Sequence, residues 1–208
     1  IDVAGFVAST LQLSDVDFLA GRFNFQAVPN AAGIRNDGTI TTPGGGSVYL
    51  VAPRVDNAGL IQTPGGDVIL AAGQTVQIGD TATPGVRVEV SGSATAATNV
   101  GSVIAEAGRV GLVGALVKNG GTLSAASAVH EGGRVFLRAT DKVEQTTGGR
   151  IDASGTQGGS VTMAAGDTTL VAGTVMARGD GGSGGTVQLL GDKVGVLDDS
   201  RVDVSGTR

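Results

Sequence analysis

A short apolar phrase, Val-x-Leu-x-Ala in its commonest form, recurs along the chain and constrains the fold more than any other feature. It reads "VYLVA" from Val48, "VILAA" from Val68, "VGLVG" from Val110, "VFLRA" from Val135, "VTMAA" from Val161 and "VQLLG" from Val187. Successive anchors are 20, 42, 25, 26 and 26 residues apart. The step of 42 reads as two coils, the degenerate one lying around Val86–Gly92. Most anchors follow a Gly-Gly pair, at Gly45-Gly46, Gly65-Gly66, Gly132-Gly133, Gly158-Gly159 and Gly184-Gly185. Before the glycines comes a short apolar segment, centred on Ile40, Ile61, Leu123, Ile151, Val175 or Val202. After each anchor strand comes a third apolar position: Val55, Val76, Val117, Val143, Leu170 and Val194. Asn precedes Gly after several of these strands, as at Asn36, Asn57 and Asn119.

Apolar residues within each phrase alternate with period two, which is the signature of strands with one buried face. No stretch carries a sustained helical period. Three short strands in 20–26 residues are too few for a propeller blade, and they lack the fixed Leu and Asn spacing of a leucine-rich repeat. The expected architecture is therefore all-β, a right-handed parallel β-helix with three short strands per coil. Handedness follows the general preference of parallel crossovers. Each coil cannot bury its own inner face, so like residues must stack on like from coil to coil. Glycine at the corners is expected to supply backbone angles that other residues avoid. Variation in repeat length is expected between the Ile151-type and Val161-type strands. About eight coils at roughly 4.8 Å each would make a rod of about 40 Å.

Composition agrees with a small-residue interior. Among 208 residues there are 37 Gly, no Trp, no Cys and only 3% aromatics, while 40% are hydrophobic. The absence of Cys rules out disulfides and thiolate metal sites. A net charge of −5 without a basic stripe argues against nucleic acid as a partner. No apolar run is long enough for a membrane-spanning helix. No cofactor is expected. Residue 1 is Ile, so the chain reads as a piece of something longer, with repeats expected to continue past Arg208.

Candidates for chemistry are few. His130, in "SAVHEGG", reads as a solvated loop residue. Arg178-Gly179-Asp180 forms the tripeptide of an exposed adhesion loop and is the one candidate binding site. Asp141, Asp167 and Asp192 recur at similar places in successive coils. Stacked carboxylates would lie about 5 Å apart, or about 10 Å across two coils, near the separations that glycosidases use. That keeps a polysaccharide-cleaving enzyme, or a glycan-binding module, as the alternative. Each Asp nevertheless sits in a turn phrase with Gly, Thr or Lys beside it, which favours turn capping, and no catalytic residue is assigned.

The first 27 residues differ, holding four of the five Phe: Phe6, Phe18, Phe23 and Phe25. "FLAGRFNF" reads as a hairpin turning at Gly21, and the aromatics read as a plug on the first coil. "VAGFVASTLQLSDVDFLAGRFNF", followed by "GGGSVYLVAPRVDNAGLIQTPGGDVILAAG", resembles filamentous-haemagglutinin-type exoproteins of two-partner secretion. The resemblance implies that residues 1–35 end the amino-terminal secretion domain and that 36–208 are shaft repeats. It places the family's Asn-Pro-Asn signature upstream of this segment. It further implies a non-catalytic rod of a secreted or surface adhesin of a Gram-negative bacterium. The implied partners are an outer-membrane transporter, engaged through the upstream region, and a receptor or glycan on host or bacterial cells.

Overall fold

The computed structural model describes residues 4–81, 85–92 and 95–207. The chain winds as a parallel β-helix with three faces. On the first face, Phe6–Ser9, Val48–Ala52, Asp67–Ala72, the start of Arg109–Asn119, the start of Arg134–Gln145, Ser160–Ala165 and Thr186–Leu190 pair in parallel, in that order. The second face stacks Ile34–Asn36, Arg54–Asn57, Ala96–Asn99, residues 116–119 and 142–145, Thr168–Val171 and Lys193–Val196. The third stacks Thr39–Thr41, Leu60–Gln62, Ser102–Ile104, Thr122–Ser124, Arg150–Asp152, Thr174–Met176 and Arg201–Asp203. The described residues thus make seven rungs rather than eight, about 29 Å along the axis at the usual strand spacing.

The inward columns follow the repeat. Val48, Val68, Val110, Val135 and Val161 lie on one another. Beside them run Leu50, Leu70, Leu112, Leu137 and Met163. On the third face Ile40, Ile61, Val103, Leu123, Ile151, Val175 and Val202 form one column. These columns, apart from the exposed Val202 at the last rung, make a single core cluster. Branched and straight aliphatics of similar volume fill such a column without voids, and a void is what makes core truncation costly.

The second face holds two departures from expectation. Its column runs Ile34, Val55, Ala97, Val117, Val143, Thr169, Val194. Thr169, not Leu170, points inward. Its hydroxyl donates to the Leu190 carbonyl at 2.7 Å, so the buried polar group is satisfied. Leu170 turns outward, its side chain over the Cα of Gly195. Val76 is likewise absent from the column; Ala97 takes that place.

The reason is the 42-residue step, which is a single rung. After Ala72 the chain leaves the helix and forms Thr75–Thr81 and Gly85–Ser91, an antiparallel pair, before returning at Ala96. The first rung behaves the same way, since Phe6 pairs with Val48 after another 42 residues. There the chain leaves after Ser9 and returns at Ile34. Both departures use the corner between the first and second faces, whereas the rung between them turns that corner through Pro53. The loop at 125–133 does vary where length variation was expected, but the longest insertions are at this other corner.

At the corner between the second and third faces the sequence places Asn. Asn36 donates from Nδ2 to Asn57 Oδ1 at 2.8 Å, Asn57 to Asn99 at 2.8 Å, and Asn99 to Asn119 at 2.9 Å. Asn57 and Asn99 also donate to the carbonyls of Gly59 and Gly101 in their own turns. Gln145 takes the next position, where the turn to Arg150 is two residues longer. Its extra methylene lets Nε2 reach the carbonyls of Gly149 and Thr174, at 3.1 and 2.9 Å. Gln145 stays in register with Asn119, but the amide-to-amide bond is lost, and Asn119 Nδ2 and Gln145 Oε1 are both left without a partner.

Truncating an amide in the middle of this ladder strands its neighbours' buried donors and acceptors. Asn99→Ala is expected to cost about 2–4 kcal/mol, and Asn36→Ala, at the half-buried end, under about 1.5 kcal/mol. Chemical unfolding midpoints of the two variants check the ordering.

Candidate functional site

The two departures meet outside the helix. Gln12–Leu13 and Phe23–Gln26 from the first, with Thr75–Thr81 and Gly85–Ser91 from the second, form a four-stranded antiparallel sheet. This sheet lies on the outer side of the first face. Leu11, Phe25, Val76, Ile78 and Val88 pack there against Val51, Ile69, Ala71 and Val113 as a second core. Under the sheet the outward positions Tyr49, Val51, Ile69, Ala71 and Val113 are therefore apolar. In register with Ile69 they turn polar beyond it, at Thr162 and Gln188. Phe136 closes the margin, its ring lying over the Cα of Gly111, where any Cβ would collide with it.

Two of the four aromatics of the amino-terminal segment, Phe23 and Phe25, belong to this second core rather than to a plug. Phe23 stacks on Phe25 at 6.3 Å and meets Tyr49 edge-on at 5.6 Å. Phe6 alone packs on the helix core, at its first rung. The expected hairpin at Gly21 is instead a short helix, Asp15–Leu19. Ser14 caps it by accepting the Asp17 N–H at 3.1 Å. Gly21 ends it at φ +65°, a left-handed turn residue. The competition between helix and hairpin was decided by that Ser14 cap and by Asp17, which binds Arg22 Nε at 2.8 Å. The Arg22 guanidinium, and then the Ser14 hydroxyl, hold the Asp17 carboxyl below the usual carboxylate range.

None of the helix residues is buried. Val16, Phe18 and Leu19 are 71%, 69% and 84% exposed. The Asp17–Arg22 pair ties the helix to Phe23–Gln26, so an ordered apolar tip is held out from the sheet. Isolated exposed apolar residues are ordinary, but a contiguous group marks an interaction surface.

Arg178-Gly179-Asp180 is placed differently from a projecting loop. Gly179 sits in a column of corner glycines, bridged in parallel to Gly155 and Gly206. A Cβ there would fall on the Ser183 carbonyl oxygen. Arg178 and Asp180 point outward, 3.8 Å apart. The same arrangement occurs at Arg35–Asp37 (2.7 Å), Arg54–Asp56 (2.7 Å), Arg150–Asp152 (2.8 Å) and Arg201–Asp203 (3.0 Å). The tripeptide is thus one of five Arg-x-Asp pairs. In each, both charged side chains lie on the outer surface with one residue between them, Asn36, Val55, Ile151, Gly179 or Val202. This regularity was present in the sequence as "RND", "RVD", "RID", "RGD" and "RVD". At the last pair, the Ser205 hydroxyl and N–H, with Arg201, pull the Asp203 carboxyl down to about 2.

Asp141, Asp167 and Asp192 do stack at one corner. The Asp167 N–H donates to the Asp141 carbonyl at 3.1 Å, and the Lys193 N–H to the Asp167 carbonyl at 2.8 Å. The Asp167 carboxylate is engaged by Lys193 Nζ and the Thr168 hydroxyl, each at 3.0 Å, and Lys193 above all lowers its pKa. A lowered pKa on an exposed, lysine-paired group is the reverse of what a general acid needs. His130 is exposed in the corner loop, its N–H bound to the Ser127 hydroxyl at 3.2 Å. Among the described residues no three His, Asp or Glu side chains gather as a metal site.

No family model matches the chain, and no curated protein matches it. A solved structure does: the crystal structure of the HMW1 secretion domain from Haemophilus influenzae, with TM-score 0.89 and 29% sequence identity. This chain is similar to a secretion domain. The likeness covers 100% of this chain, both departures included, and this chain spans 60% of the length of that one.

Stacking explains why the middle residue of "RGD" is glycine, and it separates structure from display. Gly179→Ala is expected to cost about 1–3 kcal/mol by forcing packed backbone apart. Arg178→Ala, which removes only an exposed pair, is expected to cost under about 1 kcal/mol. Thermal unfolding of the two variants checks this.

Proposed function

We propose that this chain is part of a large exported exoprotein of the two-partner secretion type, and that residues 1–208 together form the recognition domain for an outer-membrane transporter. The observation that carries the proposal is the full-length likeness to the HMW1 secretion domain. The role is non-catalytic. The exposed tip Val16, Phe18 and Leu19, and the antiparallel sheet that holds it, supply a surface that the bare helix rungs lack. The domain reading therefore extends past residue 35, because the sheet needs strands from both departures. The parent protein is a secreted or surface adhesin of a Gram-negative cell, and these rungs begin its shaft. Arg178 and Asp180 remain available on the outer surface for contact with a receptor.

The experiment is export of the whole protein in cells carrying or lacking the transporter encoded beside it. With the transporter deleted, the protein is expected to remain in the periplasm. Replacing Val16, Phe18 and Leu19 together by Ser is expected to lower export severalfold while leaving the melting temperature of residues 1–208 unchanged. Surface appearance at the normal level without the transporter contradicts the reading. New reducing ends on incubation with acidic or neutral glycans would move the protein to the enzyme alternative.

A further inference from the structure

We propose that one water molecule is a built-in part of the core, bound between the side chains of Asn119 and Gln145 at the corner between the second and third faces. The asparagine ladder has a direction. Each amide donates from Nδ2 to the Oδ1 of the next rung, from Asn36 through Asn57 and Asn99 to Asn119. The Gly59 and Gly101 carbonyls accept from Nδ2 of Asn57 and Asn99, so these amides cannot be turned over. Asn119 uses its Oδ1 to accept from Asn99 and is left with Nδ2, a donor, on the side of rung five.

Gln145 is the register partner of Asn119 in that rung. Its orientation is fixed as well, because Nε2 donates to the Gly149 and Thr174 carbonyls, and Thr174 lies one rung further on. Oε1, an acceptor, is thereby left on the side of Asn119. Asn119 and Gln145 are both 0% exposed, and neither Asn119 Nδ2 nor Gln145 Oε1 has a partner in the protein. Beyond Gln145 the ladder position is taken by Val171 and then Val196, so no later amide ends the series.

The two groups select their ligand. The Asn119 N–H repels a cation and the Gln145 carbonyl oxygen repels an anion. The ligand must accept from one group, donate to the other, and fit between neighbouring rungs. Water does all three. Adjacent strands lie about 4.8 Å apart, and two hydrogen bonds of about 2.8 Å meeting at one tetrahedral oxygen span a similar distance. Buried waters characteristically take such positions, making two to four hydrogen bonds to groups that nothing else satisfies. The longer turn at 146–149 draws the Gln145 amide to the Gly149 carbonyl, and the water makes the contact that another asparagine would have made. The ladder is then closed at both ends. At the half-buried first rung, Asn36 Oδ1 accepts the Gly38 N–H at 3.2 Å; at rung four the water accepts from Asn119.

The test is water–amide nuclear magnetic resonance on residues 1–208, with the side-chain amides assigned, together with a crystal structure at a resolution that shows ordered solvent. The Asn119 Nδ2 protons are expected to show a cross-peak to a water that tumbles with the protein. The density is expected to show a peak within hydrogen-bond distance of both Asn119 Nδ2 and Gln145 Oε1. Asn99 Nδ2, in the middle of the ladder, is expected to show no such cross-peak. Gln145→Asn is expected to bring the two amides into direct contact and abolish the Asn119 cross-peak, and its melting temperature establishes that it folds. If it does not fold, the measurements on the native chain decide. The proposal is overturned by a native chain without the Asn119 cross-peak or by a direct bond between Asn119 Nδ2 and Gln145 Oε1. It is equally overturned by a cross-peak that persists at full strength in folded Gln145→Asn.

Discussion

Backbone touches backbone at the corners of this helix, and the other features follow from that contact. Gly46, Gly66, Gly108, Gly133, Gly159 and Gly185 lie in one column, where a Cβ on each later member would fall on the carbonyl oxygen of the one before. Gly38, Gly59, Gly101 and Gly121 form a second such column. The carbonyls they crowd are in use: those of Gly66, Gly108, Gly133 and Gly159 accept the N–H of Arg109, Arg134, Ser160 and Thr186 in the following rungs. Glycine is required here for closeness. Positive φ, the other reason for glycine, applies among the described glycines only to Gly21, Gly45, Gly65 and Gly92. Rungs held at this distance then dictate the interior. Like must sit on like, which gives the valine, leucine and isoleucine columns. A buried amide can be satisfied by the amide of the next rung, which gives the asparagine ladder.

A solenoid built this way has little freedom to carry a specific surface. An insertion within a strand would break the columns, so variation must leave through a corner. Rungs one and three both leave at the corner between the first and second faces, and rung two passes that corner tightly at Pro53. The two insertions can therefore converge on one patch of outer wall and bury it. That patch, in turn, has Tyr49 and Ile69 where later rungs have Thr162 and Gln188. The added surface is confined to the early rungs, while the later ones keep the plain repeating outer wall.

Much of this was legible in the sequence because it depends on local period and on glycine placement. Val-x-Leu-x-Ala gave the inward columns of the first face, and the Ile151-type segments gave the third. Two features were hidden by long-range pairing. The strands around Val76 and Val88 alternate as any rung would; only their antiparallel partners, Phe23 and Phe25, show that they lie outside the helix. Thr169 was hidden by its neighbour. Leu170 is the more apolar residue, but the corner at Gly166-Asp167 sets the register, and the hydroxyl finds the Leu190 carbonyl. The Arg-x-Asp pairs were present in the sequence, yet one of them was read alone as an adhesion tripeptide. Comparison across rungs shows that it is also one of five Arg-x-Asp pairs.

Parallel stacking in this register is the claim on which both the fold and the functional reading stand, and the chain's lack of Cys makes it directly testable. Ser160 is the register partner of Thr186, and Ala164 of Leu190, all on the outer side of the first face. Partner Cα atoms in adjacent strands fall within the roughly 4.4–6.8 Å that a disulfide spans. Cysteine pairs at 160 with 186, and at 164 with 190, should therefore oxidise readily to intramolecular cross-links, and a pair at 160 with 190 should not. Efficient cross-linking of 160 with 190, and none of 160 with 186, would mean that these strands run in opposite directions and would contradict the account.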